Sequence, residues 1–378
     1  MNHKTWVEID ERALTQNITA LRGLLNPGAR FCLCVKSNAY GHGLMEVARI
    51  AGRAGVDAFA VDNVDEALML RAEFPSALLI VLGYTMKDRY EDALMADLHL
   101  TMYDRECVFQ METVAAQRAR TAFIHLKIET GTARQGVLPA DVYDILDDIG
   151  RCGHVALAGV STHFANIEDT TDPRFATEQF TLFQECVNSI RTAGFQPEWI
   201  HCACSAAVIL YPDTHGTLVR AGLSSYGLWP SPSVEQSVRR HNIPLELQPV
   251  LTWKTRIAQV KSLPVGTPVG YGLTETLKRN SRIAVLPVGY WDGYDRGLSS
   301  SGEVLISGIR CKVIGRVCMN MCMVDVSAVP QAEPEAEVVL LGQSGRFAVT
   351  AEELAEKVGS INYEIVTRIN PLIPRIVV

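Results

Sequence analysis

The chain has 378 residues, a length that favours two domains. Hydrophobic residues make up 48% and charged residues 20%, so a large core is available, and no apolar run reaches the ~20 residues that span a bilayer. The net charge of −7 argues against a general attraction to nucleic acid or an anionic membrane.

The N-terminal stretch MNHKTWVEIDERAL lacks the apolar core of a signal peptide, which predicts a soluble cytoplasmic protein. In it, Trp6-Val7-Glu8-Ile9 reads as a strand and Asp10 as the N-cap of a helix over 11–24. From about residue 30 to 230, short apolar runs alternate with longer amphipathic stretches. Eight strands are expected, at 31–36, 57–61, 78–82, 98–101, 122–129, 155–161, 198–202 and 217–220. Helix-like segments at 43–54, 63–73, 104–119, 139–150 and 174–193 separate them. Eight βα units point to a TIM (β/α)8 barrel, although a doubly wound open sheet would show the same local pattern. No GxGxxG follows the first barrel strand, which weakens a dinucleotide-binding reading.

The Pro- and Ser-rich segment 229–249 breaks this rhythm and is the expected boundary. Beyond it the pattern turns to strands at 250–262, 282–288, 303–306, 309–317, 322–326 and 337–341. One helix is expected at 350–357, with Thr350 and Glu353 placed as a capping box. The fold class is therefore α/β, an N-terminal barrel followed by a mostly-β domain.

Ten cysteines lie largely in apolar runs, as Cys32, Cys34, Cys311, Cys318 and Cys322 do. They read as small buried hydrophobes with reduced thiols. His201-Cys202-Ala203-Cys204 has no second ligand pair at zinc-like spacing, so no metal is expected.

Residues 35–43, VKSNAYGHG, place Lys36 directly after a buried strand. A lysine there is costly unless its amine has a task. Forming a Schiff base with an aldehyde is such a task, because it removes the charge. In a barrel, reactive groups gather at the C-terminal strand ends. Arg134 follows the fifth strand, His163 the sixth and Ser205 the seventh, and Arg220 ends the eighth. Each alone is an ordinary loop or strand-end residue; five polar groups at one rim are harder to dismiss. Arg220-Ala221-Gly222-Leu223 can present amides to a phosphate, and Ser205 and Tyr40 can supply hydroxyls.

The nonapeptide resembles the pyridoxal-phosphate lysine motif of alanine racemases, and the resemblance runs through the whole chain. It implies pyridoxal 5'-phosphate as cofactor, held on Lys36. Tyr40, Ser205, Gly222, Leu223 and Tyr363 match the family's phosphate-binding groups, Arg220 its pyridine-nitrogen partner, and His163 the ring-packing histidine. Gly270-Tyr271-Gly272-Leu273 matches the motif whose tyrosine is the second catalytic base and acts in the partner subunit's site, which implies a homodimer. Val288–Tyr294 and Gly315–Asn320 match two further motifs. Arg134 and the Met319 amide match substrate-carboxylate groups, and Lys127 a lysine often carbamylated in the family. The family's first strand joins the C-terminal domain, so the expected domains are a barrel over 10–235 and a β-rich domain of 1–9 and 236–378.

The implied activity is interconversion of L- and D-alanine by two bases, supplying D-alanine for peptidoglycan. Asn320 stands where the family has Asp, Cys204 where Asn usually precedes the phosphate serine, and Thr132-Ala133 where Met-Gly is usual. These departures leave a serine or broad-specificity racemase as the alternative. A decarboxylase of the same architecture should carry a Cys/Asp substrate motif not found here, and a single-barrel cofactor-binding protein would lack the β-rich domain.

Overall fold

A computed structural model describes residues 3–378; residues 1 and 2 of the expected 1–9 segment lie outside the described residues. The first strand, β1 (Thr5–Ile9), is followed by eight parallel strands. These are β2 (Arg30–Cys34), β3 (Ala58–Val61), β4 (Leu78–Val81), β5 (His99–Met102), β6 (Ala122–Lys127), β7 (Val155–Ser161), β8 (Trp199–His201) and β9 (Leu218–Ala221). They run in the order β8-β7-β6-β5-β4-β3-β2-β9. The ends also meet: Thr217 N donates to Ile200 O at 3.0 Å and Arg220 N to Ala203 O at 2.9 Å. Those bonds join β8 to β9, and the sheet closes into a barrel, a closure that periodicity alone left open.

The barrel helices start where local chemistry predicts. Asn63 and Asp104 accept amides three residues on, capping Val64–Glu73 and Arg105–Arg118. The segment expected as the boundary, 229–249, contains a helix, Pro232–Arg240. Ser231 is its N-cap and Pro232 its first residue, so the composition that suggested a break is a helix start.

The remaining strands are mostly antiparallel. A seven-stranded sheet pairs β1 antiparallel with Leu251–Arg256 and parallel with Arg375–Val377. A second sheet joins Gln259–Leu263, Ser281–Leu286 and Cys322–Asp325. Two helices complete this part: Ala351–Val358, capped by Thr350, and Asn362–Thr367. The second was not expected.

The chain divides into two compact units, one of Met1–Ala13, Asn38–Val47 and Pro249–Val378, the other of Leu14–Ser37 and Ala48–Gln248. The expected boundaries differ at two places besides residues 10–13, which group with the β-rich unit. Residues 236–248 group with the barrel, where the Gln248 amide donates to the Asn17 side chain at 2.8 Å. Asn38–Val47 groups with the β-rich unit.

That second difference has a backbone cause. The turn Lys36–Tyr40 is left-handed: Ser37, Asn38, Ala39 and Tyr40 have φ of 56°, 54°, 52° and 53°. Four non-glycine residues in this region cost about 1–2 kcal/mol each, so the turn must be held from outside. Asn38 Oδ1 accepts from Leu44 N at 2.8 Å, and His42 N donates to Ala39 O at 3.0 Å. Arg375 donates to Gly41 O through Nε (3.1 Å) and Nη2 (2.8 Å), and also to the carbonyls of Ile369, Asn370 and Ile373. Gly41 has φ 82°, and a Cβ there would lie 2.0 Å from Val366 O. Gly41→Ala and Arg375→Met are each expected to cost about 3 kcal/mol or more, read by urea denaturation. Wild-type stability in both variants would show that the turn is not held at these contacts.

Candidate active site

The barrel unit brings Lys36, Lys127, Arg134, His163, Ser205, Arg220, Gly222 and Leu223 to its C-terminal strand ends. Arg220 is buried on β9. Its Nη1 donates to His201 Nδ1 at 2.5 Å and His201 O at 2.7 Å, and its Nη2 to Thr162 O at 2.8 Å. These partners are neutral, so the guanidinium charge stays uncompensated by them.

That charge is felt nearby. His163 is pushed down to about 3, first by burial and then by Arg220, Arg134, Lys127 and Lys36. Burial lowers Lys127 to about 8, with Arg134 and Arg220 adding to it. Lys127 Nζ donates to Gln135 Oε1 at 3.2 Å. Four cations around a neutral imidazole make a field that favours an anion.

Polar groups are in place to receive one. Ser205 Oγ accepts from Gly222 N at 3.0 Å and Ser224 N at 3.3 Å. Among the described residues, the buried Ser224 and Ser225 hydroxyls have no hydrogen-bond partner. Orphaned buried hydroxyls beside a row of amides fit a phosphate. In the β-rich unit, the rings of Tyr40 and Tyr363 lie 6.3 Å apart.

Comparison with known proteins agrees over the full length. The family profile described as "Alanine racemase, N-terminal domain" matches residues 9–230, and "Alanine racemase, C-terminal domain" matches 250–377. The chain belongs to the alanine racemase family. It is 35% identical over 382 residues to an alanine racemase of Leptospira interrogans, covering 100% of this chain and 96% of that one. The alanine racemase of Symbiobacterium thermophilum is 38% identical, covering 98% and 96%. Among solved structures, that of the Bacillus anthracis alanine racemase with bound L-Ala-P matches with TM-score 0.93 and 32% identity, covering 100% of this chain and 96% of that chain.

The family's remaining positions fall in the β-rich unit. Tyr271 sits in a turn between Gly270 (φ 75°) and Gly272 (φ 74°), and its side chain is 71% exposed. Leu273, Trp291, Met319 and Met321 are also exposed. The loops of Trp291 and Met319 are tied together: Trp291 N donates to Met319 O at 2.9 Å and Tyr290 N to Cys318 O at 3.0 Å. Arg134 is exposed, in a loop gathered by Glu129, whose carboxylate accepts from Gly131 N (2.6 Å) and Arg134 N (3.0 Å).

Sequence reasoning missed Glu129, Arg375 and the buried histidines His125 and His201. The signal for the histidines was a polar residue within an otherwise apolar barrel strand. Burial holds His42 and His99 down at about 4, His163 at about 3, and His125 and His201 well below the ordinary value of 6.5. Unfolding frees all five to take protons that the folded state refuses. Their contribution is complete above 6.5 and is lost as pH falls toward 4. Each refused proton costs about 1.4 kcal/mol per pH unit in that window. Denaturant midpoints are therefore expected to be flat above about pH 7 and to fall steeply toward about pH 5. A flat profile across that range would mean the histidines are charged in the fold.

Proposed function

We propose that the protein interconverts L- and D-alanine in the cytoplasm, with pyridoxal 5'-phosphate held on Lys36 and two copies of the chain forming the working enzyme. The observation that carries this reading is Lys36 at a barrel strand end among Lys127, Arg134 and Arg220, around the neutral His163. When bound, pyridoxal phosphate acidifies the substrate's Cα–H by conjugation.

The protein's residues divide the rest. Ser205, Tyr40, Tyr363 and the amides at Gly222 and Leu223 would take the phosphate. His163, kept neutral, would pack on a ring face without adding charge. Arg220 would donate a hydrogen bond and keep its own proton, so it would offer the ring nitrogen none. That restrains electron withdrawal and disfavours transamination. Arg134 and the Met319 amide would hold the substrate carboxylate.

Racemisation needs a base on each face of Cα. Lys36 Nζ serves one face. Tyr271 of a second copy serves the other. Supporting this is the exposure of Tyr271 and, in the same unit, of Leu273, Trp291, Met319 and Met321, large apolar side chains of the kind that proteins cover by association. Lys127 would carry carbon dioxide as a carbamate and hold Arg134 through a charge-assisted hydrogen bond. Its lowered pKa supplies the neutral amine that this addition requires.

Borohydride reduction followed by peptide mapping is expected to trap the cofactor on Lys36; trapping elsewhere would overturn the assignment. Lys36→Ala should lose the cofactor's visible absorbance band and all racemisation. Tyr271→Phe should slow Cα-deuterium exchange from one enantiomer by about a hundredfold or more while sparing the other. Equal residual exchange from both would count against two bases. A chiral assay over alanine, serine, lysine and arginine separates the alanine reading from the serine or broad-specificity alternative.

Labelled bicarbonate should give a carbamate NMR signal that grows as pH rises through about 8. The signal should vanish in Lys127→Ala, and its persistence there would remove Lys127 from this role.

A further inference from the structure

A line of three imidazoles crosses the barrel interior. His201 Nε2 lies 2.7 Å from His125 Nδ1, and His125 Nε2 lies 2.9 Å from His99 Nδ1. The rings meet edge-on, at 65° and 66°. His99 opens β5, whereas His201 closes β8, so the line runs from the foot of the barrel to its catalytic rim. We propose that His99 is a positioning residue for Arg220, acting through His125 and His201. This rests on the reading that Arg220 meets the cofactor ring.

The chemistry fixes the direction of the line. A guanidinium has donors only, so Arg220 Nη1 donates into His201 Nδ1, which must carry a lone pair. A neutral His201 then has its proton on Nε2 and donates to His125 Nδ1. The same step repeats from His125 Nε2 to His99 Nδ1. One arginine therefore sets the tautomer of three histidines. Burial keeps His125 and His201 neutral, and the nearby Arg220 charge adds to this. Successive hydrogen bonds polarise one another, so each donor down the line makes His201 Nδ1 a better acceptor for Arg220.

The barrel makes room for this line. The β6–β7 register shifts between Ile124 and His125, which brings Gly159 opposite His125. A Cβ at Gly159 would lie 2.5 Å from His125 Nδ1. At the far end, the His99 ring stacks on Phe123 at 5.1 Å and 17°. The charged groups near it are Arg71 and Asp97. Arg71 is itself held by the carbonyls of Phe74, Pro75, Ala77, Ala96 and Asp97.

The test uses nitrogen–proton correlation NMR of the purified protein. The wild type should show His99, His125 and His201 all protonated on Nε2 alone. An Nδ1–H tautomer or an imidazolium at His125 or His201 would overturn the proposal without any variant. His99→Phe keeps a ring against Phe123 but removes the acceptor. It should shift the Arg220 guanidinium signals and the His125 Nε2–H resonance, and His99→Gln, whose carbonyl can accept, should restore both. Unmoved Arg220 signals in His99→Phe, or equal disturbance in both variants, would sink the idea. In the holoenzyme, His99→Phe should lower kcat several-fold with KM little changed and raise the fraction of turnovers lost to transamination. If the Arg220 signals respond while the cofactor does not map to Lys36, the relay stands and the functional reading falls.

Discussion

A buried guanidinium organises the barrel. Arg220 is only 6% exposed, and taking such a charge out of water costs several kcal/mol unless its donors are met. Its Nη donors are met by the carbonyls of Thr162, His201 and Cys202 and by the His201 imidazole. Thr162 directly follows β7, His201 ends β8, and Arg220 itself lies on β9. One side chain thus laces three strand ends together at the seam where the barrel closes. Its Arg220 N–Ala203 O backbone bond is part of the same seam. The arrangement satisfies hydrogen bonding without neutralising charge, and the surplus positive field is what the neighbouring His163 and Lys127 register.

The second constraint is backbone strain placed directly after Lys36. A left-handed run of four non-glycine residues persists only where the surroundings over-determine it. Here the next residues do so, with Gly41 pressed against the Val366 carbonyl and clasped by Arg375. Lys36 opens this turn two residues after β2 ends, so its backbone follows a rigid strand directly. Precision of that kind is what a group that must hold a cofactor and move a proton requires.

Much of this was legible in the sequence. All eight barrel strands were placed within a residue or two, because buried parallel strands read as short apolar runs between amphipathic helices. Lys36, His163, Ser205 and Arg220 could be placed at the strand ends because each follows or ends such a run. The left-handed turn was not legible. Ser, Asn, Ala and Tyr carry no strong preference for positive φ together, and the contacts that hold them come from residues more than 300 positions away, as Arg375 does. The helix at Pro232–Arg240 was hidden by its own cap, since Ser-Pro signals a turn and a helix start equally well. The histidine line was invisible because two of its members look like isolated polar residues in apolar strands. Only strand register shows that they face one another.

The departures from the family pattern can be weighed by the same logic. Ala133 stands where glycine is usual and has φ 50°, a conformation costing about 1–2 kcal/mol for alanine. Burial works against the Glu129 carboxylate, yet the amides of Gly131, Arg134 and Ala133 and the Thr132 hydroxyl hold it below the ordinary range. Those bonds grip the loop on both sides of Ala133 and offset its strain. Thr132, the other departure, joins the grip: its hydroxyl donates to Glu129 Oε2 at 3.1 Å. The two substitutions therefore compensate one another through a third residue. The loop that carries Arg134 is gripped through Gly131, Thr132 and Arg134, so the departures bear on its internal hydrogen bonding rather than on the groups assigned to chemistry.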